Sequence, residues 1–347
     1  MKKKEKDDLF AAHLPGVLHY HQLMLMDGVR NKLLFEAIKR HVTSETAFLD
    51  IGAGTGVWAI LAAKLGAKRV VAVEVEECLI PIIFRHAQEN GVANKIEIIH
   101  GNSDDVKVRG KFDVIVSELF GQNALGEGTV KSFVSLRSRF LAPGGVLIPQ
   151  KLAMLAAPVR IEKSVQNMPA DLPIKCDFLK ALKQHYSWNA LLPDRQGIKF
   201  LAEPKQLVEL DFRTIETAPT MSNLSLSWQV DELSEANAIA VTNNSTFTDD
   251  LIMNNFDSQS WGTNIYEFQP FEEKSGEIRF NLTIDDKKAM WSVTLLDGAP
   301  EKPKTYSPTF SLARIRMAQQ MTPHRRFKPP KIDDKKIKTQ TGKKTTA

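Results

Sequence analysis

Between Ala47 and Gly56 the chain passes from a run with strand character, Ala47-Phe48-Leu49-Asp50-Ile51, directly into Gly52-Ala53-Gly54-Thr55-Gly56. Three glycines within five residues let the backbone turn sharply and approach a ligand closely, and the amides of a helix opening at Val57 would point at it. This order demands a strand, a tight turn and a helix, with a nucleotide-like ligand at Gly52 to Gly56. Glu74, twenty residues beyond Gly54 and at the end of the apolar run Arg69 to Val75, stands where a ribose hydroxyl pair would be bound.

A dinucleotide fingerprint needs its third glycine one place later, where Val57 stands, followed by bulky Trp58. Beyond the turn the chain alternates: helix over 57–66, strand over 69–75, helix over 79–90, strand over 95–100, strand over 112–117, helix over 129–140 and strand over 146–148. Strands alternating with helices predict a parallel doubly wound sheet that presents its ligand at the carboxyl ends of the strands. Two helices over 17–42, broken at Gly28, precede the first strand and are placed to cover the ligand.

Past Pro149 short alternating runs take over, such as 207–212, 224–230, 238–241, 277–284 and 289–296, which predicts an antiparallel second domain, sandwich or barrel-like. A more helical stretch at about 163–203 interrupts it. The expected organisation is a flexible lead-in over 1–13, helices and nucleotide-binding domain over 14–149, the β domain over 150–300 and a basic tail over 301–347, mostly disordered from about 318.

The formal charge is +5, but the last stretch from His324 carries nine Lys or Arg against Asp333 and Asp334. The body is mildly acidic, so nucleic acid is an expected partner only through the tail. Two cysteines, Cys78 and Cys176, are too few for a disulfide framework or a thiolate metal cluster, and no metal is expected. Without a membrane-length apolar run, and with Glu5, Lys6 and Asp7 after the opening lysines, the expectation is a soluble protein of the cytoplasm, or also of the nucleus in a eukaryotic host.

The strand at 112–117 delivers Glu118 into a loop that reaches Glu127 nine residues later through Gly121 and Gly126. Two carboxylates that converge from such a loop form a fork that a planar guanidinium matches with paired hydrogen bonds. An acid directly after a buried apolar strand is costly without a partner, which makes Glu118 the strongest single candidate.

With these residues in place, the turn after Asp50 resembles motif I of class I S-adenosylmethionine (SAM) methyltransferases, and the chain resembles the protein arginine methyltransferases. Ser117-Glu118 with Glu127 is similar to that family's double-Glu loop. His21, Met24, Leu25, Asp27, Val29 and Arg30 match its motif ahead of the glycine turn. Leu141-Ala142-Pro143-Gly144-Gly145, Ile148-Pro149 and Pro204-Lys205-Gln206-Leu207-Val208 match further on, so the resemblance extends from about 18 to 298.

The resemblance implies SAM as cofactor, with Gly52, Gly54 and Gly56 under it, Arg30 on its carboxylate, Glu74 on the ribose, Asp104 on the adenine amino group, and His21 and Met24 lining the pocket. Glu118 and Glu127 would clamp the guanidinium of a protein arginine, with Ser260 and Trp261 closing the pocket. It also implies a Rossmann-like domain followed by a β barrel, and a homodimer built through the arm at 163–203. The family often has Thr-His-Trp where this chain has Gln259-Ser260-Trp261, so an Asp–His contact becomes Asp27 to Ser260. Leu18 and Pro15 stand where an aromatic pair is expected, with Tyr20 as a substitute. Gly126-Glu127-Gly128 together with Ser260 points to monomethylarginine as product. Two other readings satisfy the glycine turn: a class I methyltransferase acting on a small molecule or nucleic acid, and a binding or scaffold homologue with weakened turnover.

Overall fold

The computed structural model describes residues 3–118, 128–162, 187–190, 195–285, 288–296 and 304–307. The chain opens in helix α1 (Lys3–Met26), which runs through Pro15 instead of starting beyond it. Residues 3–13 of the stretch expected as a lead-in are thus part of α1. Lys, Glu, Leu and Ala before Pro15 favour helix, and one interior proline removes a single hydrogen bond without ending a helix supported on both sides. The break before helix α2 (Gly28–His41) falls at Asp27, one residue earlier than expected. Asp27 caps α2 by accepting from the Arg30 amide at 3.1 Å, the satisfaction of an orphan donor that an N-terminal aspartate provides. Asn31 donates to the carbonyls of Met24 (3.0 Å), which also accepts from the Asp27 amide at 3.2 Å, and Leu25 (2.9 Å), closing the corner from the other side.

There follow β1 (Ala47–Ile51), α3 (Val57–Lys64), β2 (Arg69–Glu74), α4 (Ile80–Glu89), β3 (Ile96–His100), β4 (Phe112–Ser117), α5 (Thr129–Phe140) and β5 (Leu141–Ile148). The five strands form one parallel sheet in the order β3-β2-β1-β4-β5. Chain direction reverses its progress between β1 and β4, which is where a doubly wound sheet opens its crevice. Register places Ile51 beside Ser117, so the residues that follow them, Gly52 and Glu118, emerge side by side at the carboxyl edge. Strand β5 starts at Leu141, not at Val146, and absorbs Gly144 and Gly145 in a register irregularity opposite Phe112 and Val114.

The second half contains β6 (Lys151–Ile161), β7 (Trp188–Ala190), β8 (Ile198–Phe200), β9 (Lys205–Asp211), β10 (Leu224–Val230), β11 (Ala238–Thr248), β12 (Leu251–Asn254), β13 (Thr263–Glu267), β14 (Gly276–Asp285), β15 (Lys288–Leu295) and β16 (Lys304–Tyr306). They make two antiparallel sheets, β10-β14-β15-β16 and β7-β13-β11-β6-β8, with β9 added to β6 and β12 to β11. Their facing sides share a core in which Met154, Ile239, Val241 and Tyr266 meet Trp228, Phe280, Trp291 and Val293.

Three expectations change here. Residues 188–190 and 198–200, inside the stretch read as helical, are strands paired with β13 and β6; residues 163–186 and 191–194 of that arm lie outside the described residues. Strand β11 does not stop at Val241 but continues through Asn243, Asn244 and Ser245, because pairing with β6 and β12 satisfies a backbone whose side chains break the apolar alternation. Residues 304–306, counted with the tail, are an edge strand, and Tyr306 packs against the core between the sheets.

Pro149 marks a change of architecture and not a gap in packing. Phe247 and Met253 share a core with Leu34 and Ile38 of α2. Leu152, Leu210 and Phe212 share another with Phe133 and Leu136 of α5, where Phe133 and Phe212 stack at 3.9 Å between centroids. Residues 1–308 form one compact unit; residues 309–347 lie outside the described residues. Among the described residues no helix is long and apolar enough to cross a membrane.

Candidate active site

Gly52, Gly54 and Gly56 all take left-handed φ, at 71°, 57° and 82°. Conformation alone favours glycine there, and neighbours enforce it at two of the three positions. A Cβ on Gly54 would lie 2.8 Å from Cε1 of His21, and one on Gly56 2.7 Å from Cγ2 of Ile83. The amides of Gly52 and Ala53 both donate to the Val73 carbonyl at 3.0 Å, tying the turn to the end of β2.

Two acids organise this turn from beneath. Glu74, 5% exposed, accepts from the Gly54 amide at 2.6 Å through Oε2, and from the Val75 and Glu76 amides at 2.8 and 2.9 Å through Oε1. Asp50 accepts from the Ala59 amide at 3.0 Å in the first turn of α3. Burial pushes the Asp50 carboxyl up to about 7, with the charge of Glu74 adding to the rise and the Ala59 amide and Arg30 opposing it.

The α1–α2 corner closes over the turn. The His21 imidazole packs on Gly54, and burial lowers its pKa against the pull of Glu74. Tyr20 is edge-on to His21 with centroids 5.6 Å apart and remains 54% exposed. Arg30, 4% exposed, pairs with Glu118 through Nη2 and donates to Asn31 Oδ1 at 2.8 Å through Nη1, while its guanidinium lies 5.9 Å from the Trp58 ring centroid. Its buried Nε has no hydrogen-bond partner. Burial pushes the guanidinium down to about 10, so it remains a cation at neutral pH.

Both oxygens of Glu118 are held: Oε2 by Arg30 and Oε1 by the Trp261 indole at 3.0 Å. Trp261 rides on a turn that is itself anchored to Asp27. Oδ2 of Asp27 accepts from the hydroxyls of Ser258 and Ser260, the latter at 2.7 Å, and from the amides of Gln259 and Ser260, each at 3.0 Å. Complete burial alone would raise the Asp27 pKa, but these donors and the Arg30 amide outweigh it and hold the carboxyl below its ordinary value. A buried anion thus joins α2 to the second sheet system.

The cleft is lined by His21, Met24, Arg30, Asp50, Gly52, Gly54 and Glu118 among the expected residues. Gly56 and Glu74 support it from behind, and Ser260 and Trp261 reach it through Asp27 and Glu118. Asp104 is not among its lining residues: it sits exposed on a turn whose carbonyls at Ser103, Asp104 and Val106 are held by Arg139 at 2.7, 2.9 and 2.6 Å. Glu127 lies outside the described residues. Leu25, Thr55, Val57, Trp58 and Val116 also line the cleft. Of these, Val57 and Trp58 were legible as the residues that follow the turn. Ser258 carries no sequence signal, since its partner Asp27 is 231 residues away.

The family model for ribosomal protein L11 methyltransferase (PrmA) matches residues 31–149. Among curated proteins, the chain is 30% identical over 223 residues to the probable protein arginine N-methyltransferase 6.2 of Oryza sativa subsp. indica, covering 62% of this chain and 56% of that protein. It is 35% identical over 185 residues to protein arginine N-methyltransferase PRMT10 of Oryza sativa subsp. japonica, covering 51% of this chain and 45% of that protein. The chain thus spans about half the length of the curated relatives it matches. Among solved structures, the Trypanosoma brucei PRMT1 enzyme–prozyme heterotetrameric complex with AdoHcy superposes with a TM-score of 0.68 at 20% identity, over 83% of this chain and 96% of that one. Arabidopsis thaliana protein arginine methyltransferase 10 gives 0.67 at 20% identity, over 84% and 99%. At that identity the structures speak to the fold: a Rossmann-like sheet followed by antiparallel sheets.

Proposed function

We propose that this chain, a relative of the protein arginine N-methyltransferases, transfers a methyl group from SAM to a guanidine nitrogen of arginine in a protein substrate. The observation that carries the reading is Glu118, a buried carboxylate beside the glycine turn and oriented by two donors from different parts of the fold.

The chain's own residues fit the cofactor. Left-handed glycines leave the backbone open to close approach, Glu74 offers acceptors at the turn, and Arg30 brings a cation with an unpartnered Nε into the cleft. Glu74 would hold the ribose hydroxyls and Arg30 the amino-acid carboxylate. When bound, the cofactor would supply an electrophilic methyl on sulfur, with S-adenosylhomocysteine as the by-product.

Arginine is protonated, and its nitrogens are poor nucleophiles until charge is drawn to the far side of the group. Glu118, with Glu127 proposed as the second acid, would draw it there and orient the attacking nitrogen; the N–C bond forms as the methyl–sulfur bond breaks, and the proton lost from nitrogen passes to solvent. Trp261 and Arg30 hold the Glu118 carboxylate in place through its two oxygens. The same acids would hold a lysine ammonium charged and unreactive, so arginine is favoured over lysine. Stopping at monomethylarginine belongs to the same reading, supported by Ser260 in place of a histidine.

We extend the reading to a homodimer through residues 163–203, consistent with the heterotetrameric complex in which the trypanosome protein was solved. Sedimentation of the full chain as a monomer at micromolar concentration would overturn that extension. The site of action proposed is the cytoplasm, or also the nucleus in a eukaryotic host.

Incubation with labelled SAM and an arginine-containing protein pool, followed by hydrolysis and separation of methylated amino acids, tests the main reading. Label in methylarginine is expected. Label chiefly in methyllysine, or SAM binding with no transfer, overturns it; dimethylarginine as the main product overturns only the monomethyl claim.

A further inference from the structure

We propose that Arg195 is a positioning residue for Glu118, acting through the turn that carries Trp261. This rests on the arginine-methyltransferase reading for its consequence in catalysis, but its geometry stands without it. Arg195 is 2% exposed, and its two terminal nitrogens donate to the carbonyls of Asn255 and Ser258, three residues apart on one turn. Its guanidinium lies 5.5 Å from the Phe256 ring centroid between them. A planar fork suits two carbonyls at that separation, whereas a lysine ammonium is a single point donor.

The end of the turn is fixed to the sheet by Asn255, which accepts from the Asn243 amide at 2.9 Å and donates to the Gly262 carbonyl at 2.7 Å. Arg195 fixes its middle. From there the connection is continuous. The carbonyl of Ser258 accepts from Arg195, its hydroxyl donates to Asp27 and accepts from the Trp261 amide at 2.9 Å, and the Trp261 indole donates to Glu118 at 3.0 Å. Burial lowers the Arg195 pKa against the charges of Asp257 and Asp27, so the cation is held by two carbonyls and by those anions together. What the guanidinium adds is the simultaneous curvature of a turn whose two products are the Asp27 anchor and the Glu118 donor.

The chain has five tryptophans, so the indole N–H region of a 1H–15N spectrum reads Trp261 directly. Trp261→Phe assigns the resonance, and Glu118→Gln marks its position once the charged acceptor is gone. In Arg195→Met the Trp261 resonance is expected to move to the Glu118→Gln position while those of Trp228 and Trp291, in the core between the sheets, stay in place. Arg195→Lys is expected to move it in the same direction. In both variants kcat/KM for an arginine peptide is expected to fall at least tenfold. A Trp261 resonance that keeps its place in either folded variant overturns the proposal. So does movement of all five indole resonances together, or loss of folding in both variants, since either shows Arg195 holding the fold instead of the turn. Should wild-type protein methylate no arginine, the functional reading fails, while the indole shift still decides the role of Arg195.

Discussion

Arg30 and Glu118 form a buried ion pair between the corner ahead of the first strand and the end of β4, with side chains 5% and 7% exposed. The pair sets one wall of the cleft, and its partner on the other oxygen, Trp261, arrives from the far half of the chain. Neither acid nor cation is free to reorient without leaving the other buried and unpaired.

Glu118→Gln is therefore expected to lower methyl transfer to an arginine peptide by roughly tenfold or more, the equivalent of about 1.5 to 3 kcal/mol for a charged hydrogen bond. It should also lower the melting temperature, because Arg30 keeps its burial and loses its counter-charge. Steady-state kinetics and a thermal melt on the same preparation check both; rates within threefold of wild type would remove Glu118 from the mechanism.

Gly54→Ala meets two obstacles, a φ of 57° and the His21 ring 2.8 Å from the new Cβ. The left-handed backbone alone costs about 1–2 kcal/mol. Pairing it with His21→Ala should return the part of the loss that is steric and leave the part that is conformational. SAM titration calorimetry and denaturant unfolding of the single and double variants measure the split; equal stability of Gly54→Ala and wild type would contradict the geometry.

Ser258 and Ser260 both donate to Asp27, but Ser258 also accepts from the Trp261 amide. Ser258→Ala is expected to cost more activity and stability than Ser260→Ala, whose loss should be close to one charged hydrogen bond, about 1.5 kcal/mol or more. The reverse order in chemical denaturation and kinetics would show that the two hydroxyls are ranked wrongly.

Asp50 gives stability a specific pH dependence. Its carboxyl moves from 3.8 to about 7 on burial, so between those values the folded state holds a proton that the unfolded state has lost. Stability from this group is full below the unfolded value and declines as pH rises through about 7, at up to about 1.4 kcal/mol per pH unit. His21, whose pKa is lowered, acts in the opposite direction around its ordinary value, so the comparison that isolates Asp50 is wild type against Asp50→Asn. Denaturant unfolding at pH 5, 6, 7 and 8 should show the variant gaining on wild type as pH rises; parallel curves would refute the shift.

Local sequence determined much of this protein. The order of Asp50, the glycine turn and Val57 dictated a strand, a left-handed turn and a helix, because only glycine tolerates those φ values at that contact density. Apolar runs and their spacing dictated the parallel sheet, and with it the arrival of Glu118 beside Gly52. Tertiary structure decided what spacing cannot encode. Arg139 of α5 holds the turn of Asp104 by its backbone carbonyls, a contact that spacing does not show. Polar Asn243 to Ser245 continue a strand because β6 pairs with all three and β12 with Asn244 and Ser245. Asp27 anchors Ser258 and Ser260 across more than 230 residues of chain, as Trp261 reaches Glu118 across 143. Such contacts are made by side chains that only the packed sheets bring into reach. Their energy comes from burial and hydrogen bonding in the folded state, and no local periodicity records it.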